Sequence, residues 1–166
     1  MFIGCSALAS APELPATKME AYCYNSMFAN CTGLTSAPEL TAKRLESNCY
    51  QHMFEGCTSL SSAPELPATY LVTECYHSMF NGCTSLTSAP ELPAKELIRN
   101  CYQLMFKDCS KLRYVRALFT TSPSEETTKD WLSGVAASGT FVKSKNATWN
   151  VTGVNGIPKG WKIETQ

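Results

Sequence analysis

Between Leu45 and Cys57 apolar residues fall four apart, at Leu45, Cys49, Met53 and Cys57, with Tyr50 and Phe54 beside them. Spacing of this kind places a broad apolar stripe on one face of a helix and predicts a short helix over about Leu45–Phe54. The period then changes. Cys57, Leu60, Ala63 and Leu66 lie three apart, and Pro64 and Pro67 interrupt the run, where a missing N–H prevents a long ladder. Gly56 separates the two halves, two residues beyond Phe54, where a helix end takes the left-handed conformation. Its counterparts Gly82, Asn30 and Asp108 are the residue types that tolerate that conformation.

These counterparts exist because the pattern repeats. Cys49–Ala68 (CYQHMFEGCTSLSSAPELPA) recurs at Cys23–Ala42 and Cys75–Ala94, with partial copies at Met1–Ala16 and Cys101–Thr120. Subtracting Cys31 from Cys57, or Cys57 from Cys83, gives a period of 26. A fixed period of that size marks an array of units, each too small to bury a core alone and dependent on its neighbours. Met1-Phe2 falls in the column of Met27-Phe28 and Met53-Phe54, so the chain opens mid-repeat. The expectation is a fragment of a longer array rather than an open-ended first unit.

The repeat frame carries into the tail. Adding 26 to Met105, Phe106 and Val115 reaches Trp131, Leu132 and Phe141, so Thr140–Val142 reads as a further strand and the stretch around Ile163 as a last one. Ser124-Glu125-Glu126 after Pro123 reads as a helix start with acids in its first turn. Residues 119–166 hold all three tryptophans and read as a C-terminal cap. The expected division is a repeat array over 1–118, about four and a half units, followed by that cap.

The run Phe54-Glu55-Gly56-Cys57-Thr58-Ser59-Leu60-Ser61-Ser62-Ala63 resembles the unit of the BspA-like leucine-rich repeat proteins of bacterial, Bacteroidales-type surfaces. Small Ala63 followed by Pro64-Glu65 departs from the longer apolar strand more common there. The resemblance implies an α/β leucine-rich repeat solenoid, each unit pairing a short parallel β-strand with the short helix. Thr35–Ala37, Ser61–Ala63 and Thr87–Ala89 would supply the strands. It further implies a secreted or cell-surface, adhesin-like module of a gut bacterium that binds host or microbial surface protein without catalysis. The candidate interaction face is Thr35, Ser36, Glu39, Ser61, Ser62, Glu65, Thr87, Ser88 and Glu91. Two other readings stand beside this one: a structural spacer within a larger surface protein, and a glycan-binding module using the Tyr24/Tyr50/Tyr76/Tyr102 column or the tail tryptophans.

Composition narrows the chemistry. Fourteen basic and fourteen acidic residues cancel, with no basic stripe to track a nucleic acid. The apolar runs are too short for membrane insertion. Nine cysteines form two columns, eight residues apart within a unit. That spacing is about 12 Å along a helix, too far for a disulfide, and stacked equivalents have parallel Cβ vectors. Buried free thiols are the leading reading; disulfides between units and a metal site are the alternatives, though no C-x-x-C spacing occurs. His52 and His77 lie in different columns, which predicts two separate surface imidazoles. The Glu13/Glu39/Glu65/Glu91 column supplies one environment several times over, whereas a catalytic carboxylate pair needs two. With no nucleophile motif, phosphate loop or dinucleotide fingerprint, an enzyme is not expected, nor is a cofactor.

Overall fold

The computed structural model describes residues 1–166. Its regular elements lie towards the C-terminus: β1 (Tyr114–Ala117), α1 (Glu125–Thr128), β2 (Thr140–Lys143) and β3 (Lys162–Thr165). The three strands form a parallel sheet in the order β1-β2-β3. Val115 pairs with Phe141, the register that the 26-residue period requires. The rest of the chain is non-helical and built from turns that repeat every 26 residues.

The helix expected over Leu45–Phe54 is absent, as are its equivalents in the other copies. Asn48 (φ 61°) and His52 (φ 55°) interrupt it, whereas a helix needs φ near −63° at every residue. The N–H groups of Cys49, Gln51, Met53, Glu55 and Cys57 each donate to the carbonyl three residues back, closing overlapping turns. Those of Asn48, Tyr50, His52, Phe54 and Gly56 donate instead to the next copy, to the carbonyls of Thr73, Cys75, His77, Met79 and Asn81. Every second turn carries a left-handed residue at its third position, as a type II turn demands. The ribbon therefore repeats every four residues. An isolated helix of this length is marginal in water, while the ribbon gains a lateral ladder from its neighbours.

The left-handed columns run the length of the array: Tyr22/Asn48/Glu74/Asn100, then Ser26/His52/Ser78/Leu104/Asp130, then Gly4/Asn30/Gly56/Gly82/Asp108/Gly134. The last is the glycine, asparagine and aspartate column anticipated above. It marks a turn within the ribbon rather than a helix end.

Side chains stack along the same axis. Phe2, Phe28, Phe54, Phe80 and Phe106 lie face to face at 5.4–5.7 Å, and Tyr24, Tyr50, Tyr76 and Tyr102 at 5.9–6.0 Å. One apolar core runs from Leu14 to Trp161. At its C-terminal end Trp131 stacks on Tyr102 at 6.2 Å, and Trp149 on Phe119 at 5.2 Å. Aromatic pairs of this kind contribute about 0.5–1.5 kcal/mol each beyond their buried area.

The opposite edge of each unit is more weakly joined. Ser10–Ser36 and Ser36–Ser62 are isolated parallel bridges, as is Ser88–Tyr114, and no bridge links Ser62 to Ser88. Pro38, Pro64 and Pro90 follow these positions and stop the ladder. Arg116 stands in the proline column, 26 beyond Pro90, and there the bridge lengthens into the four residues of β1. Ser124 precedes α1, its N–H donating to the Thr127 hydroxyl at 3.1 Å, while Lys129 pairs with Glu125 at 3.2 Å.

Candidate functional site

The hydroxyl residues of the candidate face come to the surface at those proline-limited bridges. Thr35, Ser36, Ser61, Ser62, Thr87 and Ser88 are exposed, as are Glu39 and Glu65. Glu91 is half-buried and held by Arg116, its Oε2 2.7 Å from Nη1. Thus the hydroxyl residues are exposed in all three copies, while the carboxylates divide into two free groups and one paired group. Beneath it Glu13 and Glu39 flank a shallow groove of about 280 Å³ between Ala11–Pro15 and Pro38–Thr41.

The cysteines are all free thiols. Seven are buried, and only Cys5 and Cys23 are exposed. In the second column every Sγ but that of Cys5 donates to a phenylalanine carbonyl of the preceding copy: Cys31 to Phe2 at 2.9 Å, Cys57 to Phe28 and Cys83 to Phe54 at 3.1 Å, and Cys109 to Phe80 at 3.0 Å. Burial pushes the thiols up, Cys49 to about 11 and Cys57, Cys101 and Cys109 to about 12. Cys75 and Cys83 are raised by the same cause. These groups are protonated at neutral pH and are poor nucleophiles and metal ligands. No three His, Cys, Asp or Glu side chains converge in a way that could hold a metal ion.

No family model, curated protein or solved structure matches this chain. The residues therefore carry the functional argument by themselves.

The histidines depart from expectation. His52 and His77 lie in different columns, yet their rings meet edge to face at 5.1 Å. Lateral bonds join residues 25 apart, and the His52 N–H donates to the His77 carbonyl at 2.9 Å, so the ladder brings together groups one position off the repeat. His52 Nδ1 lies 2.6 Å from Glu55 Oε2, and Gln51 Nε2 lies 3.4 Å from His77 Nδ1. Burial, and then the charge of His52, lowers the His77 pKa against the opposing pull of Glu74 and Glu55.

Around this pair runs a polar network that was not anticipated. Gln51 accepts from Asn25 at 2.8 Å and from Asn48 at 3.1 Å. Glu74 accepts from Asn48 at 2.9 Å, Gln51 at 3.2 Å and Asn100 at 3.2 Å. Asn81 donates to Glu55 at 3.1 Å. The amide and carboxyl side chains are half-buried, Asn48 buried, and they bond the copies laterally. Its visible signal was the recurrence of Asn, Gln and Glu at positions flanking the cysteine–tyrosine pairs.

Tyr50, Tyr76 and Tyr102 are buried, and burial raises their pKa values. Trp131, Trp149 and Trp161 are buried too, their indole N–H groups donating to the carbonyls of Gly156, Phe119 and Ala136. Neither set offers a ring face to solvent along the array; Tyr24, half-buried at the first full copy, is the partial exception.

Proposed function

We propose that this chain is a leucine-rich repeat solenoid of the BspA-like kind, with a turn ribbon in place of the helix and residues 119–166 as its cap. We further propose that it serves as a non-enzymatic, extracellular or cell-surface module for binding protein. The observation that carries this reading is the exposed hydroxyl face Thr35-Ser36, Ser61-Ser62, Thr87-Ser88, with unpaired Glu39 and Glu65 at its edge. It is shallow and neutral in its hydroxyl columns, which suits a broad contact with another macromolecule better than a pocket for a small molecule. Burial of the thiols supports a non-catalytic role. The buried tyrosines and tryptophans weigh against glycan stacking. The near-identity of the copies favours a second reading, a spacer within a larger surface protein, because a specific ligand needs differences between columns.

A pull-down from host and microbial surface proteins, paired with Ser36→Arg/Ser62→Arg/Ser88→Arg, separates these readings. Capture by the parent chain and loss in the triple variant supports the binding face. Capture by neither, or by both equally, removes it, and the spacer reading is then preferred.

A further inference from the structure

Most seams of the array are closed twice, by the ribbon ladder and again at the proline-limited edge. On that edge the Thr35 N–H donates to the Ala9 carbonyl at 3.2 Å, Ser61 to Thr35 at 3.4 Å, and Arg113 to Thr87 at 3.1 Å. Between Ser61 and Thr87 the equivalent bond is missing, as is the bridge from Ser62 to Ser88. The seam between Cys49–Ala68 and Cys75–Ala94 therefore has only its ribbon bonds as a backbone connection.

Polar side chains gather at this same seam. Asn48 donates to Glu74 at 2.9 Å, Gln51 to Glu74 at 3.2 Å and Asn81 to Glu55 at 3.1 Å, while Gln51 Nε2 lies 3.4 Å from His77 Nδ1. The seams on either side have one such bond each, Asn25 to Gln51 at 2.8 Å and Asn100 to Glu74 at 3.2 Å. Side-chain bonds are thus densest where the edge bond is absent.

The chemistry of that network fixes the state of His77. An ionised Glu74 only accepts, so Gln51 Nε2 and Asn48 Nδ2 must face it. Gln51 Oε1 is taken by Asn25 and Asn48. Gln51 therefore offers His77 a donor, and Nδ1 is the acceptor of a neutral ring with its proton on Nε2. A proton added at Nδ1 meets the Gln51 N–H, donor against donor. The Gln51 amide cannot turn over to receive it without losing Glu74, Asn25 and Asn48. The added charge also faces His52, whose ring centroid is 5.1 Å away. Glu55 and Glu74 are the carboxylates that face the pair, and both are already engaged, Glu55 by His52 and Asn81 and Glu74 by three amides. In the following copy the position equivalent to His77 is neutral Gln103.

We infer that this seam is an acid-released joint. Uptake of a proton by His77 breaks the side-chain network, and the copies on either side part while the other seams hold. Thr35, Ser36, Ser61 and Ser62 lie on one side of the joint and Thr87 and Ser88 on the other, so its opening divides the hydroxyl face. The inference rests on the seam itself and not on what that face binds.

Backbone hydrogen exchange in the full chain, corrected for the intrinsic effect of pH, reads the joint. The His52 and Phe54 amides donate across this seam, and those of Tyr76 and Phe80 across the next. From about pH 7.5 to about pH 5, the first pair should lose about tenfold or more protection relative to the second. The loss should follow the His77 imidazole titration measured by NMR on the same sample. His77→Gln, which repeats the residue found at Gln51 and Gln103 in that column, should abolish the selective loss. Equal losses at both seams, or none at either, overturn the inference. So does a selective loss that persists in His77→Gln or has its midpoint in the carboxylate range, because His77 would then not be the trigger.

Discussion

The Cys57 thiol donates to the carbonyl of Phe28, 3.1 Å away in the preceding copy, and the same carbonyl also accepts the Cys31 N–H at 3.1 Å. One oxygen thus closes a turn within its own unit and ties that unit to the next. Cys57→Ala removes the lateral tie and some packed volume without orphaning the carbonyl. The expected loss is about 1–2 kcal/mol, read from the urea midpoint, with an unchanged m-value. Cys5→Ala, at an exposed member of the same column, should move the midpoint by less than about 0.5 kcal/mol.

Thiol titration sets an alkaline limit. In the folded chain burial holds Cys49 near 11 and Cys57, Cys101 and Cys109 near 12, above the ordinary value of 9.0. The folded state therefore keeps protons that the unfolded state releases. The associated stability is complete below about pH 9 and declines as pH rises through 11 and 12. Urea midpoints should be level from pH 7 to 8.5 and fall by pH 10.5. A midpoint that does not fall over that interval contradicts the buried-thiol account. In the same spirit, a thiol reagent at pH 8 should label two sites in native protein and nine after unfolding.

The histidine contact acts at the other end of the scale. Burial and His52 depress the His77 pKa below its usual 6.5. The unfolded chain takes up this proton first, so stability is present above about pH 6.5 and is lost as pH falls through the folded value. His77→Gln should flatten the pH 7-to-5 stability slope contributed by this site, and imidazole NMR titration of the parent should place one histidine below the free value. Finding both imidazoles at or above that value would rule out the effect.

Left-handed positions make a separate test of the ribbon. Leu104 holds φ 56° in a column where the neighbouring copies carry Ser78 and Asp130, and a branched apolar side chain pays most for that conformation. Leu104→Asn should raise stability by about 0.5–1 kcal/mol. Gly82→Ala should lower it by about 1 kcal/mol on backbone grounds alone, because φ is +74° and the nearest atoms to an added Cβ are 3.7 Å away. If residues 97–106 were helical, Leu104→Asn would destabilise instead.

How much of this was legible depends on which spacing is considered. The 26-residue frame, the left-handed glycine column and the Val115–Phe141 register follow from subtraction along the chain. The ribbon did not, because apolar residues four apart serve both a helix and a turn that repeats every four. One hint was present: a helix drifts by about 40° over each such step, yet Leu45, Cys49, Met53 and Cys57 keep the interval without the three-residue correction a helix would need. The histidine contact was hidden by a different offset, since lateral bonds link residues 25 apart while side-chain columns run at 26. The hydroxyl face was visible as a pattern, but Glu91 left it through Arg116, a residue that stands where other copies carry proline.

The overlap of Trp131 with Tyr102 bears on how the chain finds its structure. Copies as alike as Cys23–Ala42, Cys49–Ala68 and Cys75–Ala94 are nearly interchangeable partners, and a slip by one whole unit would forfeit few contacts during folding. That degeneracy ends where the sequence stops repeating. Trp131 lies 26 beyond Met105 but fills the space of a missing tyrosine, and Asn155 and Gly156 receive only the donors of that one turn. The tail is thereby a frame marker for the copies that precede it. Pairing that begins at Trp131 and runs toward the N-terminus counts the copies correctly, whereas pairing that begins among the identical units has nothing to count from.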